Sequence, residues 1–263
     1  MSTSQDAPIG VFDSGVGGLS VLAALRAELP REDFVYHADT AFAPYGERGE
    51  DYVAARTLAI AQELRAQHGI KALVVACNTA TAAAIAPLRA AHPGLCIVGV
   101  EPALKPAARA SRTGHVGVLA TRGTLASGKF RSLKASLAGQ ARYTLQACDG
   151  LAEAIERGDA ARLQELGSRY MQALGPLGNA PGSIDTVVLG CTHYPFARDT
   201  LARAGGTAVQ WLETGAPVAR QTRRLLEAGT LAGSAGTGRV HLQSSGDCAA
   251  LRTFAQRWLG LPG

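Results

Sequence analysis

The sequence predicts an α/β fold of two similar domains, each a mostly parallel sheet flanked by helices, with the active site in the cleft between them. Three observations predict it. Short apolar runs alternate with helix-period segments along the chain, the pattern of βαβ units, whose strands pair in parallel. Two of those runs, VVAC (74–77) and VVLGC (187–191), end alike in a cysteine followed by polar residues. Their thiols stand 114 positions apart (191 − 77), close to half of the 263 residues, as two facing halves would place them.

Each element follows from local pattern. IGVFD (9–13) is a short apolar strand, and DSGVGG after it is a glycine-rich turn. LSVLAALRAEL (19–29) has helical periodicity and stops at Pro30. FVYHAD (34–39) is a second strand, and AFAPYGERG is a loop punctuated by Pro44 and Gly46. Residues 50–69 form a long amphipathic helix closed by Gly69. KALVVAC is a strand, ATAAAIAPLRAAH a helix and CIVGVEP another strand. Near Pro102 a second series begins, with strands at 115–121, 143–148 and 185–191 and a short one at 209–214. SGKFRSLKASLAG, the stretch 151–178 (one helix or two) and PFARDTLARAG supply its helices. APVARQTRRLLEAG is a further helix, and HLQSSGD precedes a last one, LRTFAQRWL. The tail has no counterpart in the opening segment. The expected domains are therefore 1–100 completed by 213–263, and 101–212.

Composition narrows the function classes. At 47% hydrophobic and 18% charged the chain reads as globular rather than disordered. It has no apolar run long enough to span a bilayer and no secretory signal pattern, so a cytoplasmic location and no membrane partner are expected. The net charge of +5 comes from scattered arginines. Its densest patch, RQTRR (220–224), has no interleaved aromatics, so it reads as a solvated helix face and no nucleic acid is expected. Five widely spaced cysteines without a CxxC pair argue for free thiols and no metal site.

In an open parallel sheet, ligands bind outside the carboxyl ends of the strands. Four strands here end in chemically useful residues: Asp13-Ser14, Cys77-Asn78-Thr79, Thr121 with Thr124, and Cys191-Thr192-His193. The loop Pro44-Tyr45-Gly46 follows a fifth strand. Gly15, Gly17 and Gly18 do not fit a dinucleotide fingerprint, because Ser20 stands where its last glycine belongs, and Asp39 is the one acid near a ribose-binding context. Those glycines instead let backbone N–H groups approach an anion such as a carboxylate. Cys96, Cys148 and Cys248 read as small buried hydrophobes. Cys77 and Cys191 read as reactive, each at a helix N-terminus that favours a thiolate, with Asp13 and His193 as their proton partners.

The segments FDSGVGGLSV, PYG, ACNTATA, GVEPALKPA, GVLAT, GCTHYPF and SSGD, in this order from residue 9 to 247, resemble the cofactor-independent aspartate/glutamate racemase family. The resemblance implies interconversion of L- and D-glutamate, supplying D-glutamate for peptidoglycan, with no cofactor. It implies two bases on opposite faces of the α-carbon: Cys77 takes the proton from D-glutamate, assisted by Asp13, and Cys191 takes it from L-glutamate, assisted by His193. Ser14, Tyr45, Gly46, Asn78, Thr79 and Thr192 match substrate-binding positions, and Thr121 and Thr124 a further pair near the ligand. Members carry Cys-Pro and then a glutamate lining the site. Here the segment is CDGLAEAIE, with Asp149 in place of proline, and Glu156 aligns with that glutamate, Glu153 being the local alternative. A homodimer is a further implication.

Three alternatives remain open on the residues. A Cys191–His193 nucleophile pair suits acyl transfer in a hydrolase but leaves Cys77 unused. A non-catalytic glutamate-binding module would bind without loss of optical rotation. A racemase of the same family acting on aspartate would share every motif, because main-chain and hydroxyl groups set side-chain length only loosely.

Overall fold

A computed structural model describes residues 5–206, 209–233 and 236–261. In chain order the elements are β1 (Ile9–Asp13), α1 (Leu19–Glu28), β2 (Phe34–Ala38), α2 (Glu50–His68), β3 (Ala72–Val75), α3 (Asn78–Ala91) and β4 (Cys96–Gly99). Then come α4 (Leu104–Ala110), β5 (His115–Ala120), α5 (Arg122–Ala126), α6 (Gly128–Ala135), β6 (Arg142–Ala147), α7 (Leu151–Arg157), α8 (Ala160–Leu174) and β7 (Thr186–Leu189). The last are α9 (Arg198–Gly205), β8 (Gln210–Leu212), α10 (Gly215–Ala228), β9 (Val240–Ser244) and α11 (Cys248–Leu259).

The chain forms two compact units, 1–100 with 215–263, and 101–214. The first holds a parallel sheet in the order β4-β3-β1-β2-β9. The second holds a parallel sheet in the order β6-β5-β7-β8. Reversed, the second order is 8-7-5-6, the same winding as 4-3-1-2, with β9 as the addition. Strands β1, β3, β5 and β7 are buried on both faces, which is why they read as continuous apolar runs.

In each unit the chain runs from one strand to a neighbour on one side, then crosses to the other side. That reversal is the topological switch point, where a crevice opens outside the carboxyl ends. In the first unit it lies between β1 and β3, in the second between β5 and β7. Asp13 closes β1 and Cys77 follows β3; Thr121 follows β5 and Cys191 follows β7.

Three stretches gain definition in the structure. The stretch 102–114 contains a helix, α4, that carries Pro106 inside its first turn, where a proline's missing N–H costs nothing. HLQSS is not merely a connection: residues 240–244 form β9, paired in parallel with β2. The stretch 151–178 is two helices, parted by Gly158 at φ 66° and restarted by Asp159, whose carboxylate accepts from Arg162 N–H.

Candidate active site

In the first unit the glycine turn serves an anion, and that anion is the chain's own Asp13. Gly18 N–H donates to Asp13 Oδ2 at 2.6 Å, and Tyr36 donates to the Gly15 carbonyl at 2.9 Å. Asp13 is fully buried. On the neighbouring strand Cys77 is the N-cap of α3, and its sulfur accepts from Ala80 N–H at 3.4 Å. That geometry favours negative charge on sulfur. Ser14 Oγ lies 3.6 Å from the same sulfur. Beside it Asn78 is 5% exposed, and neither atom of its amide has a hydrogen-bond partner among the described residues. A buried primary amide left unpaired is costly unless a ligand satisfies it. Thr79 follows on the first turn of α3, half-buried.

Tyr45 and Gly46 sit in a 3-10 turn, Tyr45–Glu47, that a fully buried carboxylate holds in place. Tyr45 donates to Asp39 Oδ2 at 2.5 Å, and Arg56 from α2 donates to both Asp39 oxygens, at 2.7 and 3.1 Å. Burial alone would raise the Asp39 pKa, but His37, Arg56, Tyr45 and Ser245 outweigh it and hold the carboxyl well below its usual range. His37 Nε2 is 3.9 Å away, beyond hydrogen-bond distance, so Arg56 and Tyr45 do most of this. Burial and Asp39 together push the Tyr45 phenol far above its ordinary value, so it remains a donor. The SSGD segment supports the same loop: Ser244 Oγ is 2.7 Å from Thr40 Oγ1, and Ala41 N–H donates to Ser245. Asp39 is thus fully engaged and unavailable for a ribose.

In the second unit three residues form a line. His193 Nδ1 is 3.6 Å from Cys191 Sγ, and its Nε2 is 2.6 Å from Glu156 Oε1. Burial would lower the His193 pKa, yet the bonds to Cys191 and Glu156 prevail and raise it well above the ordinary value. A histidine so placed can hold a proton between a sulfur and a carboxylate. Glu156 is the partner on α7, whereas Glu153 pairs with Arg157. Asp149 is ion-paired with Arg122, and its carbonyl accepts from Tyr170 at 2.6 Å. Thr121 caps α5 by accepting from Thr124 N–H, and the two hydroxyls are 2.9 Å apart. Thr192 is buried beside His193.

Not every expectation for the thiols fits. Cys191 does not open an α-helix: Pro195 enters a 3-10 turn, Tyr194–Ala197, before α9 begins. Cys96 and Cys248 are only partly buried, since they lie on an edge strand and at the start of the terminal helix. Cys148 is buried, and its thiol is pushed far up by burial and then by neighbouring Cys191. All five cysteines are free. No group of three or more metal-binding side chains occurs among the described residues, and no helix there is long and apolar enough to cross a membrane. Arg56 was not anticipated from sequence; it flanks the buried face of α2, one turn from Val53 and from Ile60, and a lone arginine in a helix signals nothing by itself.

Comparison with known proteins adds to this geometry. The family described as Asp/Glu/Hydantoin racemase matches residues 10–221. The glutamate racemase of Ectopseudomonas mendocina (strain ymp) is 48% identical over 262 residues, 99% of this chain and 97% of that protein. Among solved structures, glutamate racemase isoform RacE1 from Bacillus anthracis superposes with a TM-score of 0.87 at 30% identity, covering 98% of this chain and 95% of that one. The Escherichia coli glutamate racemase, solved with L-glutamate and the activator UDP-MurNAc-ala, gives 0.81 at 32% identity, with 95% of each chain covered.

Proposed function

The chain belongs to the Asp/Glu/Hydantoin racemase family, and on that premise we propose that it interconverts L- and D-glutamate with Cys77 and Cys191 as the two bases. One observation carries this reading. The same winding places a thiol after the third strand of each unit, beside a switch point, and each thiol has polar support: Ser14 and the α3 N-terminus for Cys77, His193 and Glu156 for Cys191.

In the D-to-L direction the Cys77 thiolate removes the α-proton and the Cys191 thiol protonates the opposite face of the carbanion. In the L-to-D direction the roles exchange. His193, bonded to Cys191 and Glu156, accepts the proton that sets Cys191 as a thiolate and returns it when Cys191 must be an acid. Asp13 is assigned the matching part for Cys77. Unpaired Asn78, with Ser14, Tyr45, Gly46, Thr79, Thr121, Thr124 and Thr192, is assigned to the substrate's carboxylates and amine. Donors fixed in advance stabilise developing charge without reorganising during the reaction. The product would feed peptidoglycan synthesis in the cytoplasm, and a homodimer is the assembly to test by sedimentation.

The test is deuterium wash-in at Cα from D2O, with each enantiomer of glutamate and of aspartate. Wild type exchanges both enantiomers of glutamate; preference for aspartate would reassign the substrate. Cys77→Ser and Cys191→Ser each abolish racemisation, and two single variants racemising at the wild-type rate would refute the two-base assignment. The 3.6 Å Cys191–His193 contact also suits a hydrolase. That reading requires activity independent of Cys77 and a trappable acyl-enzyme.

A further inference from the structure

From Pro102 to Cys148 the sequence carries eight lysines and arginines and not one aspartate or glutamate. The fold gathers three of these cations around one cavity. Arg131 and Lys134 come from α6 and Arg142 from the start of β6, bordering a space of about 500 Å³ whose other walls include Leu137, Ala141 and Tyr143. No carboxylate lines it. None of the three cations is in an ion pair among the described residues, whereas Arg122 pairs with Asp149 and Lys129 with Glu101. Arg131 gives one Nη to the Ala126 carbonyl at 2.5 Å.

The cavity is remote from the chemistry already assigned. Arg142 pairs with His115 at the amino ends of β6 and β5, while Thr121 and Cys191 follow carboxyl ends. One strand of this length separates the two ends by about 17 Å. β6 is also an edge strand, hydrogen-bonded on one side only, to β5.

Three exposed like charges converge on one cavity and raise the local potential for an anion. Elsewhere on the surface cations are interleaved with acids: Arg157, Arg162 and Arg223 each meet a glutamate. The helix C-terminus accounts for Lys134 in the last turn of α6 but not for Arg142, which lies on a strand. Two guanidinium forks suit the tetrahedral oxygens of phosphate, and the apolar walls beside them suit a flat or aliphatic body.

We propose that this cavity is a binding site for a small phosphate-bearing molecule, distinct from the racemase centre. The tetrahedral anion sits among Arg131, Lys134 and Arg142, and its organic part lies against Tyr143, Leu137 and Ala141.

Calorimetric titration of the whole chain at low ionic strength tests it, with phenyl phosphate, inorganic phosphate and benzoate as probes. Expected is a single saturable site for phenyl phosphate, tighter than for inorganic phosphate because of the apolar walls, and tighter than for benzoate because of the tetrahedral anion. Arg142→Gln and Lys134→Gln each weaken it by about tenfold or more. Arg224→Gln, on an exposed face of α10 in the other unit, leaves it unchanged. Racemase activity and melting temperature of the variants confirm that they are folded. No saturable binding, equal weakening by Arg224→Gln, or benzoate binding as tightly as phenyl phosphate would each overturn the proposal.

Discussion

Glu156 Oε1 lies 2.6 Å from His193 Nε2, joining α7 to a residue 37 positions further on whose other nitrogen faces Cys191. The contact gives Glu156→Gln a directional consequence. The carboxylate helps raise the His193 pKa against burial, so an uncharged amide lets that pKa fall. The limb of the kcat/KM profile that reports loss of the histidine proton then moves to lower pH. Activity at neutral pH drops about tenfold or more, as for a weakened general acid–base group. Because enantiomers are equal in free energy, kcat/KM must fall equally in both directions. A pH profile superimposable on wild type would remove Glu156 from the mechanism.

Gly18→Ala tests the turn beneath Asp13. A Cβ there would stand 2.7 Å from the Asp13 Cβ and 3.0 Å from both the Ala76 Cβ and the Tyr36 hydroxyl. None of these is a free chain end, so backbone must shift, and the 2.6 Å bond from Gly18 N–H to Asp13 lengthens. The expected cost is about 1–3 kcal/mol in denaturant unfolding, with activity lost beyond what the unfolded fraction explains. Full activity at unchanged stability would mean that Asp13 needs no such support.

Strand ends were legible in the sequence because buried parallel strands leave an unbroken apolar signature, and the residue after each is placed by geometry alone. Cys77, Asn78, Cys191 and His193 could be picked out that way. What was not legible was non-local. β9 reads as a polar connection because VHLQS is a half-buried edge strand, recognisable only once β2 is beside it. Likewise nothing local marks Arg56, whose meaning comes from Asp39, 17 positions earlier. The choice of Glu156 over Glu153 turns on which side of α7 meets His193, a tertiary fact.

Arg56→Gln should separate loop positioning from folding. The guanidinium packs 3.6 Å over the Phe42 ring and is the cation paired with fully buried Asp39. Without it the carboxylate keeps only its weaker partners, at an expected cost of about 2–3 kcal/mol, the part-exposed arginine lying below the range for fully buried pairs. The sign for pH follows from the lowered Asp39 pKa: its contribution is present above the unfolded value and is lost as pH falls through that range. KM should rise more than kcat falls, because Tyr45 and Gly46 are displaced rather than removed. Arg56→Lys should restore part of the KM and less of the stability, since an ammonium cannot bind both oxygens. Equal KM for all three proteins would detach this loop from substrate binding.

Asp185 offers the clearest acid-stability signal. Buried at the start of β7, it accepts from Ser111 Oγ at 2.6 Å, Arg112 N–H at 2.7 Å, Thr113 N–H at 3.0 Å and Thr186 Oγ1 at 3.0 Å. It thereby ties the segment entering β5 to its neighbour β7. Burial raises its pKa, but these four donors prevail and bring it down to about 2. A carboxyl depressed in the folded state stabilises above its unfolded pKa, about 3.9, and that stability drains as pH falls toward 2. The contribution at neutral pH is about 2 kcal/mol. Asp185→Asn should lower the urea midpoint clearly at pH 7 and much less at pH 2.5, where the wild-type carboxyl has begun to protonate. The difference between the two proteins, plotted against pH, should therefore close on the acid side. A gap that stays constant from pH 7 to pH 2.5 would mean that the four bonds act through shape alone and not through the charge.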